Sequence, residues 1–159
     1  MFERIIVPMD GSRISAEVLP FVVDIAKNNN SEVVLLRVVS KMPIGLISQT
    51  TGVGNPNSVT LIAEQAQSKE VDNAAYAKRY LSNHAKFLKD QGINAFFEVM
   101  EGSPARCIMD FANSEKTTLI IMMSHGRGRF KRAILGSVTD AVIRGTTVPV
   151  LVIRPKEAF

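Results

Sequence analysis

The chain has one cysteine, two histidines, two tyrosines and no tryptophan among its 159 residues. A lone Cys107 makes no internal disulfide, which suits a reducing compartment. Its neighbours place it on a helix face, as a small buried thiol rather than a reactive one. His84 and His125 are far apart, with no HxxxH or CxxC spacing, which argues against a structural zinc site. No apolar run approaches the ~18 residues that a membrane helix needs. The opening segment MFERIIVPMDGS has two charges before a very short apolar run and then a turn, unlike a signal peptide. A cytoplasmic protein without membrane attachment is therefore expected.

What is present is an ordinary globular composition, 46% hydrophobic and 21% charged, in a chain long enough for one domain and too short for two. The formal net charge is +4. Most basic residues are scattered over what read as solvated helix faces. The one concentrated run is Arg127, Arg129, Lys131 and Arg132, inside a glycine-rich loop, and that placement favours a local anion over a long polyanion. A nucleic-acid binder would need aromatic residues beside this run, and only Phe130 is there.

Five short apolar runs recur with room for a helix between them: Ile5–Met9, Val33–Val39, Ile93–Val99, Leu119–Met123 and Pro149–Ile153. Most are nearly continuous in Val, Ile and Leu, as strands covered on both faces are. The third mixes its faces through Asn94, Glu98 and the paired Phe96 and Phe97, as at a sheet edge. Between the runs the period becomes helical. Val18, Phe21, Val22, Ile25 and Ala26 share one face of a first helix. Val71, Ala74, Leu81, Ala85 and Leu88 line a second, from about Lys69 to Gln91 and stopped by Gly92. Ile108, Phe111 and Ala112 mark a third, entered through Ser103-Pro104, and Val138, Ala141 and Val142 a fourth. This alternation implies an α/β fold, a doubly wound five-stranded parallel sheet with helices on both faces, Rossmann-like, in a single domain over 1–159. A long flexible loop is expected at about 40–68. In such sheets ligands bind beyond the carboxyl ends of the strands, where strand order reverses.

The strongest local signal is Ser124-His125-Gly126-Arg127-Gly128-Arg129 after strand four, with Gly136-Ser137-Val138-Thr139 opening the next helix. Glycines bring main-chain N–H groups close to a ligand, and a helix start favours an anion. The Ser137 and Thr139 hydroxyls are further candidate donors. The plainer reading is that the glycines only turn the chain and Ser137 only caps a helix. Two glycine clusters bracketing a basic run favour phosphate. There is no GxxxxGK[ST], and no GxGxxG follows strand one. After that strand comes Pro8-Met9-Asp10-Gly11-Ser12, where Asp10 either contacts a ribose or base or serves as a turn residue. His125 is the only histidine near the loop and Asp10 the nearest expected carboxylate; a phosphoryl-transfer site could use them with Mg2+, but no second acidic metal ligand is identifiable, so dedicated catalysis is the weaker reading.

These residues resemble the universal stress protein family over nearly the whole chain: RIIVPMDGS, EVVLLRVVS, EGSPARCI, and MMSHGRGRFKRAILGSVTDAVIRGTTVPVLVIRP. Nucleotide-binding members carry G-x2-G-x9-G-[ST], and Gly126, nine intervening residues and then Gly136-Ser137 match its last two elements. The first glycine falls on Met123. Its side chain either turns into the core, at no cost, or crowds the ligand, and a required positive φ there would abolish binding. The resemblance implies the adenine nucleotide alpha hydrolase-like fold. It also implies ATP or a related adenine nucleotide, with or without Mg2+, its adenosine end near Asp10 and the main chain of Val38. Gly126, Gly136 and Ser137 would hold ribose and phosphates, helped by the Val138 amide. Pro8, Met123, His125, Arg127, Gly128 and Thr139 complete the implied site. A homodimer through the last strand, Val148–Ile153, is also implied. The function expected is a nucleotide-binding regulatory protein of the stress response. The alternatives are a dimeric interaction module that binds no nucleotide, and a slow ATP hydrolase.

Overall fold

Apolar runs with no polar break form strands only where both faces are covered, and the structure covers them. The computed structural model describes residues 1–39, 56–124 and 135–155. β1 (Arg4–Pro8) leads to two helices, α1 (Arg13–Ala16) and α2 (Leu19–Asn29), and then β2 (Glu32–Val39). The long α3 (Pro56–Asp90) precedes β3 (Asn94–Glu101), α4 (Pro104–Ser114), β4 (Leu119–Met123), α5 (Ser137–Gly145) and β5 (Val150–Ile153). The strands form one five-stranded parallel sheet in the order β3-β2-β1-β4-β5. The chain works outward from β1 to β3 and then crosses back to β4, so the order reverses beside β1.

Alternation along each strand divides the core in two. Ile5, Val7, Val33, Leu35, Leu119, Ile121 and Met123 face α2 and α3 and pack with Val22, Ala26, Leu81, Ala85 and Leu88. Ile6, Leu36, Ile120 and Met122 face the other way, onto Ile108 and Ala112 of α4 and Val142 of α5. At the amino edge Arg4 ties three elements together: its Nε donates to Glu32 Oε1 (2.7 Å) and its Nη1 to Glu115 Oε2 (2.6 Å). β3 is an edge strand, as its mixed pattern implies, and Phe96 and Phe97 are both exposed.

Two expected helices are corrected. The first helix is broken in two, because Pro20 has no N–H to bond the carbonyl four residues back at Ala16. Phe21 is consequently exposed at 44%, while Val18 and Val22 are buried. The second helix begins at Pro56 rather than near Lys69. The glycines and prolines that discourage helix all lie at or before Pro56, and a proline is welcome in a first turn. The remaining part of the expected loop, 40–55, lies outside the described residues.

α3 stops where the sequence implies. Gly92 takes φ +81, its N–H bonds Lys89 O, and the Ile93 N–H bonds Leu88 O, with Ile93 and Leu88 both buried. This is a Schellman cap with its hydrophobic contact. No helix among the described residues is long and apolar enough to cross a membrane.

Two predictions follow from this packing. Leu81 is fully buried between α3 and the sheet, so Leu81→Ala should cost about 2–5 kcal/mol, read as a lower urea midpoint. Burial lowers the His84 imidazole below its ordinary 6.5. The unfolded chain then takes up a proton that the folded chain resists, and stability present above pH 6.5 is lost as pH falls below it. Urea midpoints measured from about pH 7 to pH 5 should show this fall, reduced in His84→Gln.

Candidate functional site

Beyond the carboxyl ends of β1, β2 and β4 lies a cleft of about 330 Å³, closed on its flanks by the starts of α4 and α5. This is the size of a small-molecule site and sits where strand order reverses. One wall is apolar, with Leu36 and Val38 from β2, Met122 from β4 and Ile108 from α4. Polar groups gather elsewhere: Asp10 after β1, Ser15 on α1, and Ser137 at the first position of α5.

Among the described residues, the turn after β1 holds the only carboxylate that lines the cleft. The Met9 N–H continues the sheet ladder to Leu36 O at 2.8 Å. Asp10 Oδ1 accepts the Ser12 N–H at 2.9 Å, and Ser12 Oγ accepts the Ser15 N–H at 3.1 Å to cap α1. Between them Gly11 takes φ +84, and a side chain there would run into the Arg37 guanidinium. Behind the turn, Tyr80 of α3 donates its hydroxyl to Ser12 O at 2.9 Å. Burial raises the Tyr80 phenol above its ordinary value, with the Ser15 hydrogen bond pulling the other way. It therefore remains a donor at neutral pH.

Across the cleft, α5 begins with Gly136 as its N-cap and no side-chain cap bond. The first carbonyl-bonded amide in the helix ladder is that of Asp140, to Gly136 O at 2.9 Å. The amides ahead of it bond no carbonyl within the helix, and the positive end of the helix dipole lies there. Thr139 is buried beside the cleft, and its hydroxyl donates to Met123 O at 3.4 Å, tying α5 to β4. Met123 is 4% exposed and packs in the α2–α3 core. It pairs with Ile153 in the sheet, and the only non-glycine residues with positive φ among those described are Asn30 and Lys116. The side chain has turned into the core.

Pro8, Asp10, Val38, Met123, Gly136, Ser137, Val138 and Thr139 thus line one cleft, although they come from four separate stretches of the chain. His125, Gly126, Arg127 and Gly128 lie outside the described residues. Sequence reasoning passed over Pro104 and Ile108, which close the cleft from α4, and over Ser15, Arg37 and Tyr80. The Ser103-Pro104 helix entry just beyond a strand end was a usable signal for the first pair. Nothing local marked Tyr80, which reaches the turn from 68 residues away. Gly11→Ala should destabilise the fold by more than about 1 kcal/mol, because an L side chain is strained at its positive φ, read by thermal or urea unfolding.

Comparison with known proteins gives this arrangement a lineage. The family model described as "Universal stress protein family" matches residues 1–154. Two universal stress proteins of Methanocaldococcus jannaschii are similar in sequence. MJ0531 is 31% identical over 158 residues, covering 99% of this chain and 85% of that one. MJ0577 is 32% identical over 162 residues, covering 99% and 98%. The solved structure of MJ0577 superimposes with a TM-score of 0.81 over 99% of both chains at 28% identity. A universal stress protein from Archaeoglobus fulgidus, solved in complex with dAMP, shares the fold with a TM-score of 0.64 at 17% identity, covering 96% of this chain and 98% of that one. With the model matched from Met1 to Arg154 and relatives similar end to end, the chain belongs to the universal stress protein family.

Proposed function

We propose that this protein binds an adenine nucleotide, ATP or a close relative, in the cleft beyond β1, β2 and β4, and acts as a nucleotide-responsive regulatory protein of the stress response. The observation that carries the reading is the uncapped start of α5 facing a cleft whose other end holds the Asp10 carboxylate. A nucleotide has that polarity: an anion for the helix amides, hydroxyls for a carboxylate, and a flat apolar base for Leu36, Val38, Ile108 and Met122. Asp10 would accept from the ribose or base. The amides of Ser137 and Val138 and the Ser137 hydroxyl would donate to phosphate, leaving Thr139 to its bond with Met123. The burial of Met123 supports the same reading, because the side chain that stands where the family pattern has glycine packs into the core. The solved complex of the A. fulgidus relative with dAMP supports the ligand class on this fold.

Binding rather than turnover is the function proposed. Among the described residues no three of His, Cys, Asp and Glu cluster to hold a metal. Any Mg2+ would arrive with the phosphates. We also infer a homodimer through β5, an edge strand whose four residues are each only half-buried.

Gentle purification, denaturation and mass analysis should release an adenine nucleotide, and calorimetric titration with ATP should show binding. Gly136→Val should weaken it by about tenfold or more, the scale of one lost charge-assisted hydrogen bond. No released nucleotide and no heat on titration would overturn the reading. Sedimentation velocity should show a dimer that Val152→Lys, a charge on the apolar edge, converts to monomer. A wild-type monomer would refute the β5 assignment.

A further inference from the structure

The Asp10 turn does not hold itself. Arg37, on β2, lies beneath Gly11 with its guanidinium over the Tyr76 ring at 5.2 Å and the Tyr80 ring at 5.8 Å. Both rings belong to α3. The Arg37 Nη1 atom is buried and has no hydrogen-bond partner among the described residues. A buried guanidinium N–H without an acceptor is costly, and a simple apolar filler would support the sheet at lower cost. This one is wedged between the turn and two aromatic faces, where its flat shape fixes the height of Gly11. The Tyr80 hydroxyl adds the second hold on Ser12 O, and Ser15 Oγ, 2.8 Å from that oxygen and 3.0 Å from Tyr80 Oη, joins the cluster. His84 packs edge-on against Tyr80 at 4.6 Å between centroids and keeps the ring upright.

We propose that Tyr80 and Arg37 are positioning residues for the ligand site: α3 sets, through them, where the Asp10 carboxylate stands in the cleft. Neither residue lines the cleft. They act through the Asp10–Ser12 turn, whose position decides whether the carboxylate meets the nucleoside end of the ligand. The proposal rests on the nucleotide reading for its ligand, but its physical content, a turn clamped from behind by α3, is testable without one. Linkage makes the effect reciprocal: a ligand that engages Asp10 also steadies Tyr80 and α3.

Tyr80→Phe keeps the ring that packs on Arg37 and His84 and removes the hydroxyl. Calorimetry with adenosine and, separately, with inorganic tripolyphosphate divides the two ends of the site. Adenosine affinity should fall about fivefold, as expected when the competent turn is populated about a fifth as often, with tripolyphosphate affinity unchanged. In an Asp10→Asn background, Tyr80→Phe should have no further effect, because both act through one group. Equal losses for both ligands, or full additivity with Asp10→Asn, would overturn the proposal in favour of a general structural role. Amide exchange on ligand-free protein supplies the second arm. The Ser12 amide, which Asp10 Oδ1 accepts, should exchange about fivefold faster in Tyr80→Phe. Unchanged exchange at Ser12 would also overturn it. Failure of wild type to bind adenosine, with faster Ser12 exchange in the variant, would sink the nucleotide reading while leaving the clamp in place.

Discussion

β1 is paired on both edges and covered on both faces, and the rest of the molecule is arranged around satisfying it. Its amides and carbonyls bond β2 along its length and β4 at Ile5 and Ile6, while Ile5 and Val7 enter one core and Ile6 the other. A strand so enclosed has no freedom of register, since a slip of one residue would exchange its two faces. The ladder continues one residue past the strand, through the Met9 N–H, and then releases the chain into the cleft. The position of Asp10 is thus inherited from the most constrained backbone in the protein.

The site itself is assembled from places where backbone hydrogen bonding runs out. The ends of β1, β2 and β4 stop at the cleft, and α5 begins there with first amides that no carbonyl of the helix can answer and an N-cap, Gly136, that has no side chain. Such ends cannot be buried against apolar neighbours without loss, so the fold leaves them facing an opening. Thr139 shows the opposite outcome: its hydroxyl is used internally, on the Met123 carbonyl, to fix α5 to the sheet.

The cluster behind the turn trades stability for placement. Gly11 accepts a left-handed conformation, and Arg37 holds a buried N–H, without a partner among the described residues, above two tyrosine rings. Local departures from the best hydrogen bonding persist where surrounding packing imposes them, and they concentrate at functional sites. Here the surrounding packing is α3, anchored by Ala77, Leu81, Ala85 and Leu88 in the larger core.

The strands, their parallel alternation with helices and the edge position of β3 were legible because hydrophobic periodicity is a local property of the chain. So were the site residues that carry a local signature: Asp10 before glycine at a strand end, and Gly136-Ser137 opening a helix. The break between α1 and α2 was also written in the sequence, in Pro20, yet the apolar spacing around it concealed the consequence for Phe21. What the sequence by itself determined was therefore the inventory of elements and the family pattern running through them. Only the tertiary structure decided that the Met123 side chain packs into the core, that the Thr139 hydroxyl bonds a carbonyl, and that Arg37 and Tyr80 stand under the turn. The physical reason is range: propensity and periodicity act over a few residues, whereas each of these outcomes depends on which atom from a distant segment arrives to fill a space or accept a proton.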